Sequence, residues 1–144
     1  MSEKILVDYA MKFCGTPYIW GGDDPISGID CSGLAIELLK ASGVVKKKDY
    51  DNTAQGLFKD LLNWGGKANV QAYPCSFVFF GKSSTEITHV GFCISPTLMI
   101  EAGGGGSNVT NVAAAAKFNA YVRVRPILAR TDLVGYVHPI YPWG

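Results

Sequence analysis

Apolar positions in the N-terminal third of the chain recur at helical spacing. Ile5, Leu6, Tyr9, Ala10 and Phe13 fall on one stripe behind Ser2, a good N-cap, which predicts a helix from Ser2 to about Phe13. The stretch "CGTPYIWGGDDPISGI" then breaks the pattern with Gly and Pro and reads as a loop. Leu34, Leu38 and Leu39 restore the helical period behind Asp30, so a second helix is predicted from about Cys31, with Gly43 as its stop. A third is predicted from Thr53 to about Asn63, ended by Gly65-Gly66. From Ser76 the period changes. "FVFFG" is a short apolar strand, and residues 88–94 and 97–102 are two more, separated by Ser95-Pro96. "AYVRVRP" alternates as a half-exposed strand should, and "LVGYVHPIY" is the last strand candidate. Helices first and strands later predict an α+β fold, with N-terminal helices packed on an antiparallel β-sheet.

No repeat or linker divides the sequence, so residues 1–144 read as a single domain, within the roughly 100–200 residues usual for one. Residues 103–144 are expected to complete the sheet. The segment "AGGGGSN" lacks the Gly-Lys-Ser/Thr ending of a phosphate-binding loop.

A formal net charge of +1, with Lys46, Lys47 and Lys48 as the sole basic run, gives no footprint for nucleic acid. No apolar run approaches the ~20 residues that cross a bilayer, so no membrane insertion is expected. "MSEKILVDYAMKFCG" carries charges where a secretory h-region would be apolar, so no signal peptide is expected. The four cysteines show no C-x-x-C spacing. Cys14, Cys75 and Cys93 sit in or beside apolar patterns and are expected to pack as small hydrophobes.

Cys31 is placed differently. It stands at a predicted helix start, where backbone N–H groups favour a thiolate and can also serve an oxyanion. The plain alternative is a cysteine filling a first turn. A nucleophile needs a base. Of the two histidines, His138 precedes Pro139 without an obvious partner, whereas His89 opens the strand "HVGFCI". If strands 88–94 and 97–102 form a hairpin through a three- or five-residue connection, His89 lies directly opposite Glu101 on one face of the sheet. A carboxylate there can orient an imidazole and stabilise its charged form. A two-residue connection would put the pair on opposite faces. Structural readings stay open too: a satisfied strand histidine, and an edge carboxylate in solvent.

Taken together, "GTPYIWGGDDPISGIDCSGL", "FVFFGKSSTEITHVGFCI" and "MIEAGG" resemble the NlpC/P60 cysteine peptidases. The shared features are an aromatic-Gly-Gly loop leading into Asp-Cys-Ser-Gly, then His-Val-Gly on a later strand, then a polar residue one strand further on. The resemblance covers roughly residues 12 to 102. It implies a papain-like NlpC/P60 fold and a catalytic domain that hydrolyses stem-peptide amide bonds of bacterial peptidoglycan. The bond implied is that between D-glutamate and the diamino acid, meso-diaminopimelate or lysine. Cys31 matches the nucleophile and His89 the general base. Tyr18 matches a loop tyrosine that helps the oxyanion site, and Asp30 and Ser32 match positions lining the substrate groove. Trp20 is expected to wall the cleft. The third polar position, often histidine in the family, is Glu101 here; Asn108 or Asn111 are the substitutes should Glu101 be misplaced.

No cofactor or metal is expected, and the protein is expected to act as a monomer on peptidoglycan stem peptides. The same chemistry on another acyl bond, as in an N-acetylmuramoyl-L-alanine amidase or an acyltransferase, is one alternative. A non-catalytic cell-wall binding module is another, and a zinc site on Cys31, His89 and Glu101 a third. The expected place of action is the cell wall, extracellular or periplasmic. Delivery without a leader fits a phage lysis or tail component or a secreted effector; otherwise the protein stays cytoplasmic.

Overall fold

Side-chain caps start the helices. In the computed structural model, which describes residues 1–24, 26–69 and 71–143, α1 (Glu3–Met11) opens with Ser2 Oγ accepting the Ile5 N–H at 3.3 Å. Pro25, one of the loop's breakers, lies outside the described residues, as do Val70 and Gly144. The helix α2 (Cys31–Ala41) opens with Asp30 Oδ1 accepting the Gly33 N–H at 2.7 Å. In α3 (Ala54–Asn63), Thr53 Oγ1 accepts the Gly56 N–H at 3.1 Å. α1 is shorter than its stripe suggests. Past Met11 the N–H groups of Phe13 and Cys14 bond three residues back, and this tightened turn buries Phe13 and leaves Cys14 exposed. Cys14 is therefore not the buried hydrophobe expected, whereas Cys75 and Cys93 are. All four cysteines are free.

The loop before α2 carries a small antiparallel pair, β1 (Asp23–Asp24) and β2 (Gly28–Ile29), which its Gly/Pro content did not predict. The main sheet has six strands: β3 (Lys67–Asn69), β4 (Phe77–Gly81), β5 (Ile87–Cys93), β6 (Leu98–Gly103), β7 (Tyr121–Pro126) and β8 (Leu133–His138). Their order is β3-β8-β4-β5-β6-β7, and every neighbouring pair is antiparallel. The last strand thus enters the sheet interior beside β4 rather than adding to an edge. A fourth helix, α4 (Val112–Phe118), joins β6 to β7; its alanine run has no amphipathic stripe to betray it.

Every residue of β4 is buried, because both faces of that strand are covered. Phe77 and Phe79 enter the larger core with Leu6, Leu38 and Leu57 from the helices, whereas Val78 and Phe80 join Met99, Ile127 and Tyr136 on the other face. Phe79 meets Phe58 of α3 edge-on at 5.1 Å; its truncation to Ala would cost about 3–5 kcal/mol. Among the described residues, no helix is long and apolar enough to cross a membrane.

Two details of β5 decide where His89 points. A bulge shifts the register from Phe80↔His89 to Gly81↔Ile87, so Thr88 is an extra residue. Without it Ile87 and His89 would share a face; with it Ile87 stays in the helix-side core and His89 aligns with Gly91 and Cys93 on the other face. The β5–β6 register also differs from the expected one. Phe92 pairs with Ile100 and Cys93 with Met99, a shift of two residues, so Glu101 is a diagonal neighbour of His89 and not its direct opposite. The connection is three residues long, but Ile94 and Leu98 close it, with Ile94 N–H bonded to Leu98 C=O at 3.0 Å. A shift of two preserves the face, and diagonal neighbours remain within reach of long side chains.

Candidate active site

At the start of α2 the backbone is locked before any chemistry is considered. Asp30 uses both carboxylate oxygens: Oδ1 takes the Gly33 N–H and the Ser32 hydroxyl, the latter at 3.2 Å, and Oδ2 takes the Gly21 N–H at 3.2 Å. The Asp30 N–H in turn donates to Gly22 C=O at 2.9 Å. This ties the glycine loop to the helix mouth so closely that a Cβ on Gly33 would stand 2.5 Å from Gly22 O. Gly21 holds φ +72°, a left-handed conformation suited to glycine. Burial raises the Asp30 carboxyl above its usual range, against the opposing pull of the Gly33, Ser32 and Gly21 hydrogen bonds. The Cys31 and Ser32 amides, in the first turn, have no carbonyl one turn earlier to bond.

Cys31 lines the same cleft as His89, and its sulfur is one of the groups that favour the charged imidazole. The other is Glu101: His89 Nε2–H donates to Glu101 Oε2 at 2.6 Å. With Nε2 so engaged, Nδ1 is the nitrogen left for the sulfur. His89 is 7% and Glu101 2% exposed, so this is a buried ion pair, screened little by solvent. Burial acts most strongly on His89 and disfavours its charged form. Its contacts with Cys31 and Glu101 together outweigh that and raise the imidazole to about 9. Burial also opposes ionisation of Glu101, yet His89, Arg125 and Arg130 hold its carboxyl below the ordinary value. Gly103 leaves room for the pair, since a Cβ there would lie 3.3 Å from Glu101 Oε1 and 3.7 Å from His89 Cε1. Gln55 of α3 anchors the approach to β5 by accepting the Ile87 N–H at 2.8 Å.

These groups open into a cleft of about 760 Å³. Tyr18, Trp20, Asp30 and Ser32 all line it, with Cys31, His89 and Glu101. Tyr18 is buried, and burial, then the negative charges of Cys31 and Asp30, push its phenol up to about 12, so it remains an O–H donor. Trp20 is 56% exposed, a wall open to solvent rather than a packed aromatic. Asn111 is the N-cap of α4, its Oδ1 accepting the Ala114 N–H at 2.8 Å, and Asn108 is exposed; neither lines the cleft. Among the described residues, no group of three His, Cys, Asp or Glu side chains is arranged to hold a metal ion.

Part of the lining has no signature in the sequence. Asp51, Asn52 and Thr53 form a wall from the segment before α3, and Arg130 enters from the turn after β7. Only the helix start at Thr53 was legible among these, because convergence of distant loops leaves no local pattern. Of the two β7 arginines, Arg125 lines the cleft, its Nη1 at 3.4 Å from Glu101 Oε1. Arg123 does not line it; its Nη1 donates to Asn119 C=O at 3.2 Å.

Helices on one face of a six-stranded antiparallel sheet, with a cysteine at a helix mouth facing a paired histidine, define an α+β protein with a thiol-bearing cleft. A model of the NlpC/P60 family matches residues 15–126, and the chain belongs to that family of peptidoglycan hydrolases. The bifunctional muramidase/DL-endopeptidase CwlT of Bacillus subtilis (strain 168) is 32% identical over 102 residues, 67% of this chain and 28% of that protein. The chain spans between 19% and 34% of the curated relatives it matches. The NlpC/p60 domain of the peptidoglycan hydrolase SagA superposes with a TM-score of 0.67 at 24% identity, over 95% of this chain and 98% of that one. RipD of Mycobacterium tuberculosis, described as a non-catalytic NlpC/p60 domain protein adapted to peptidoglycan binding, shares the fold at a TM-score of 0.66 and 16% identity, over 96% of each chain.

Proposed function

We propose that residues 1–144 act as a catalytic domain, a cysteine peptidase that cuts the amide bond between D-glutamate and the diamino acid of peptidoglycan stem peptides. The observation that carries this reading is the buried His89–Glu101 pair, joined by a 2.6 Å bond from imidazole to carboxylate, on the same cleft as Cys31 at the mouth of α2. The DL-endopeptidase activity in the name of CwlT supports the choice of bond.

The chemistry is acyl transfer in two halves. The Cys31 thiolate, paired with the His89 imidazolium, attacks the scissile carbonyl carbon, and the carbonyl oxygen takes the negative charge. First-turn N–H groups of α2 and the Tyr18 hydroxyl stabilise that oxyanion. As the C–N bond breaks, His89 gives its Nδ1 proton to the leaving amine, producing a thioester on Cys31. Neutral His89 then takes a proton from water, whose hydroxide attacks the thioester and releases the acid and the thiolate. Glu101 keeps the ring oriented throughout and stabilises its charged form. Asp30 and Ser32, at the helix mouth, border the acyl half of the substrate.

Incubating purified peptidoglycan with wild type and Cys31→Ala, with mass spectrometry of the soluble products, tests this. The expected result is γ-D-glutamyl–diamino acid cleavage by wild type alone. Release of intact stem peptides from muramic acid would make the protein an amidase. Equal products from both proteins would remove the enzyme reading, leaving the wall-binding role that RipD exemplifies.

A further inference from the structure

The cleft is polarised. Asp23, Asp30 and Asp51 line its helix side, and Asp23 and Asp51 border a second, adjoining depression with Gly33, which keeps them at that end. The opposite end, past His89 and Glu101, is lined by Arg125 and Arg130. Both guanidiniums are held in place and only part-exposed, with side-chain exposures of 35% and 31%. Asp132 grips Arg130 through Nε at 3.0 Å and Nη2 at 2.9 Å, and the same guanidinium lies 5.0 Å over the Phe80 ring.

Neither arginine is used up by these partners. The Arg125–Glu101 contact at 3.4 Å is well outside the ~2.7–2.9 Å of a strong charged hydrogen bond, and Glu101 already gives its other oxygen to His89. An arginine carries five N–H donors in a fixed fork. A carboxylate arriving at this end would meet two preorganised guanidiniums beside an imidazolium, whereas an amine would meet repulsion.

The direction of the reaction says which half of the substrate arrives there. His89 must reach the leaving nitrogen, so the leaving half lies on the His89 side of Cys31, and the acyl half lies along the helix mouth. We propose that Arg125 and Arg130 form a carboxylate-binding subsite for the leaving-group half of the substrate, selecting stem peptides whose residue after the scissile bond carries a free carboxylate. This rests on the peptidase reading above. The carboxylate has two sources: the side chain of diaminopimelate, or the C-terminus of a short stem.

The test uses Cys31→Ala protein and three peptides: L-Ala-γ-D-Glu-L-Lys as the free acid, the same as its C-terminal amide, and L-Ala-γ-D-Glu-diaminopimelate amidated only at its C-terminus. Binding is measured by calorimetry. At least one acid-bearing peptide should bind about tenfold more tightly than the lysine amide, as expected for a charge-assisted contact. Preference for the lysine acid assigns the C-terminus, and preference for the diaminopimelate amide assigns the side chain. Adding Arg130→Met should bring the ratio near unity, and Arg125→Met should do the same. Equal affinity for all three peptides, a preference that survives both substitutions, or no binding at all would overturn the subsite. Turnover of the same peptides by wild type separates the two claims. Cleavage of all three with equal kcat/KM keeps the peptidase and sinks the subsite; carboxylate-selective binding without any cleavage does the reverse.

Discussion

His89 and His138 sit on the same sheet, and burial pushes both imidazoles toward their neutral forms, yet they end with opposite preferences. His138, on β8, pairs through Nδ1 with the Ser76 hydroxyl at 2.8 Å. That partner is neutral, and Glu3 acts on the ring only through its field, so burial prevails and the imidazole stays below its ordinary value. His89 is the more buried of the two and nevertheless rises to about 9, because Glu101 holds it in a direct hydrogen bond to a carboxylate and Cys31 acts on it in the same direction. What separates a structural histidine from a candidate catalytic one here is the charge of its partners, not the depth of its burial.

The comparison breaks most visibly at Cys31. Cys31→Ala should lower peptidoglycan hydrolysis on the order of 10⁴-fold or more, while His138→Ala leaves it within a few-fold of wild type; product release measured side by side checks both. Comparable losses from the two would mean that charge pairing does not mark the active centre.

Glu101→Gln keeps the shape of the carboxylate and removes its charge. We expect kcat to fall by about 10²–10⁴ and the His89 titration, followed by imidazole NMR, to move down. The His138 titration should stay where it is. A variant with unchanged kcat would demote Glu101 to a structural residue.

The third prediction concerns pH. The folded value of His89 lies above its unfolded one of 6.5, so the protonated ring stabilises the native state. That contribution is fully present below about 6.5 and is lost as pH rises through about 9. Denaturant midpoints should therefore decline over that window, and kcat/KM should fall on the alkaline side as the ion pair discharges. Cys31→Ala, by removing one of the charges that raise His89, should move the decline in stability to lower pH. A decline unmoved by Cys31→Ala would assign the loss to other groups. His138 has the opposite sign: its lowered value means that protonation in acid, below about 6.5, favours unfolding.

The smallest effect belongs to the structural pair. Ser76 is fully buried, and Ser76→Ala leaves the His138 Nδ1 without its hydroxyl, at a cost of about 1–2 kcal/mol. Thermal unfolding should show this loss, with peptidoglycan hydrolysis at the wild-type level.

Much of the frame was legible because the signals are local. Ser2, Asp30 and Thr53 each bond an N–H three residues onward, and such a cap needs nothing from the rest of the chain. The apolar run at β4 and the strand around His89 follow from the same short-range pattern. What escaped is what depends on partners. The hairpin of β5 and β6 lies two residues away from the register expected of it, since the turn residues do not say which pair closes the loop. The Thr88 bulge, which sends His89 to its face, left no mark in the hydrophobic pattern. The helix α4 was missed although Asn111 followed by an alanine-rich stretch is a capping signal; a long polar lead-in and the absence of an apolar stripe hid it.

By itself, then, the order of residues determined an α+β chain, a cysteine at a capped helix mouth, and a histidine and a glutamate on successive strands. Those are properties of short windows, in which backbone geometry and side-chain chemistry are set by neighbours a few positions away. Only the folded chain decided that Glu101 reaches His89 diagonally, that Arg125 faces the cleft while Arg123 does not, and that Arg130 and Asp51 come to line opposite ends of it. Strand register, a bulge and the meeting of remote loops are settled by packing across the whole sheet, where the free energy depends on which segments touch and not on what each segment is.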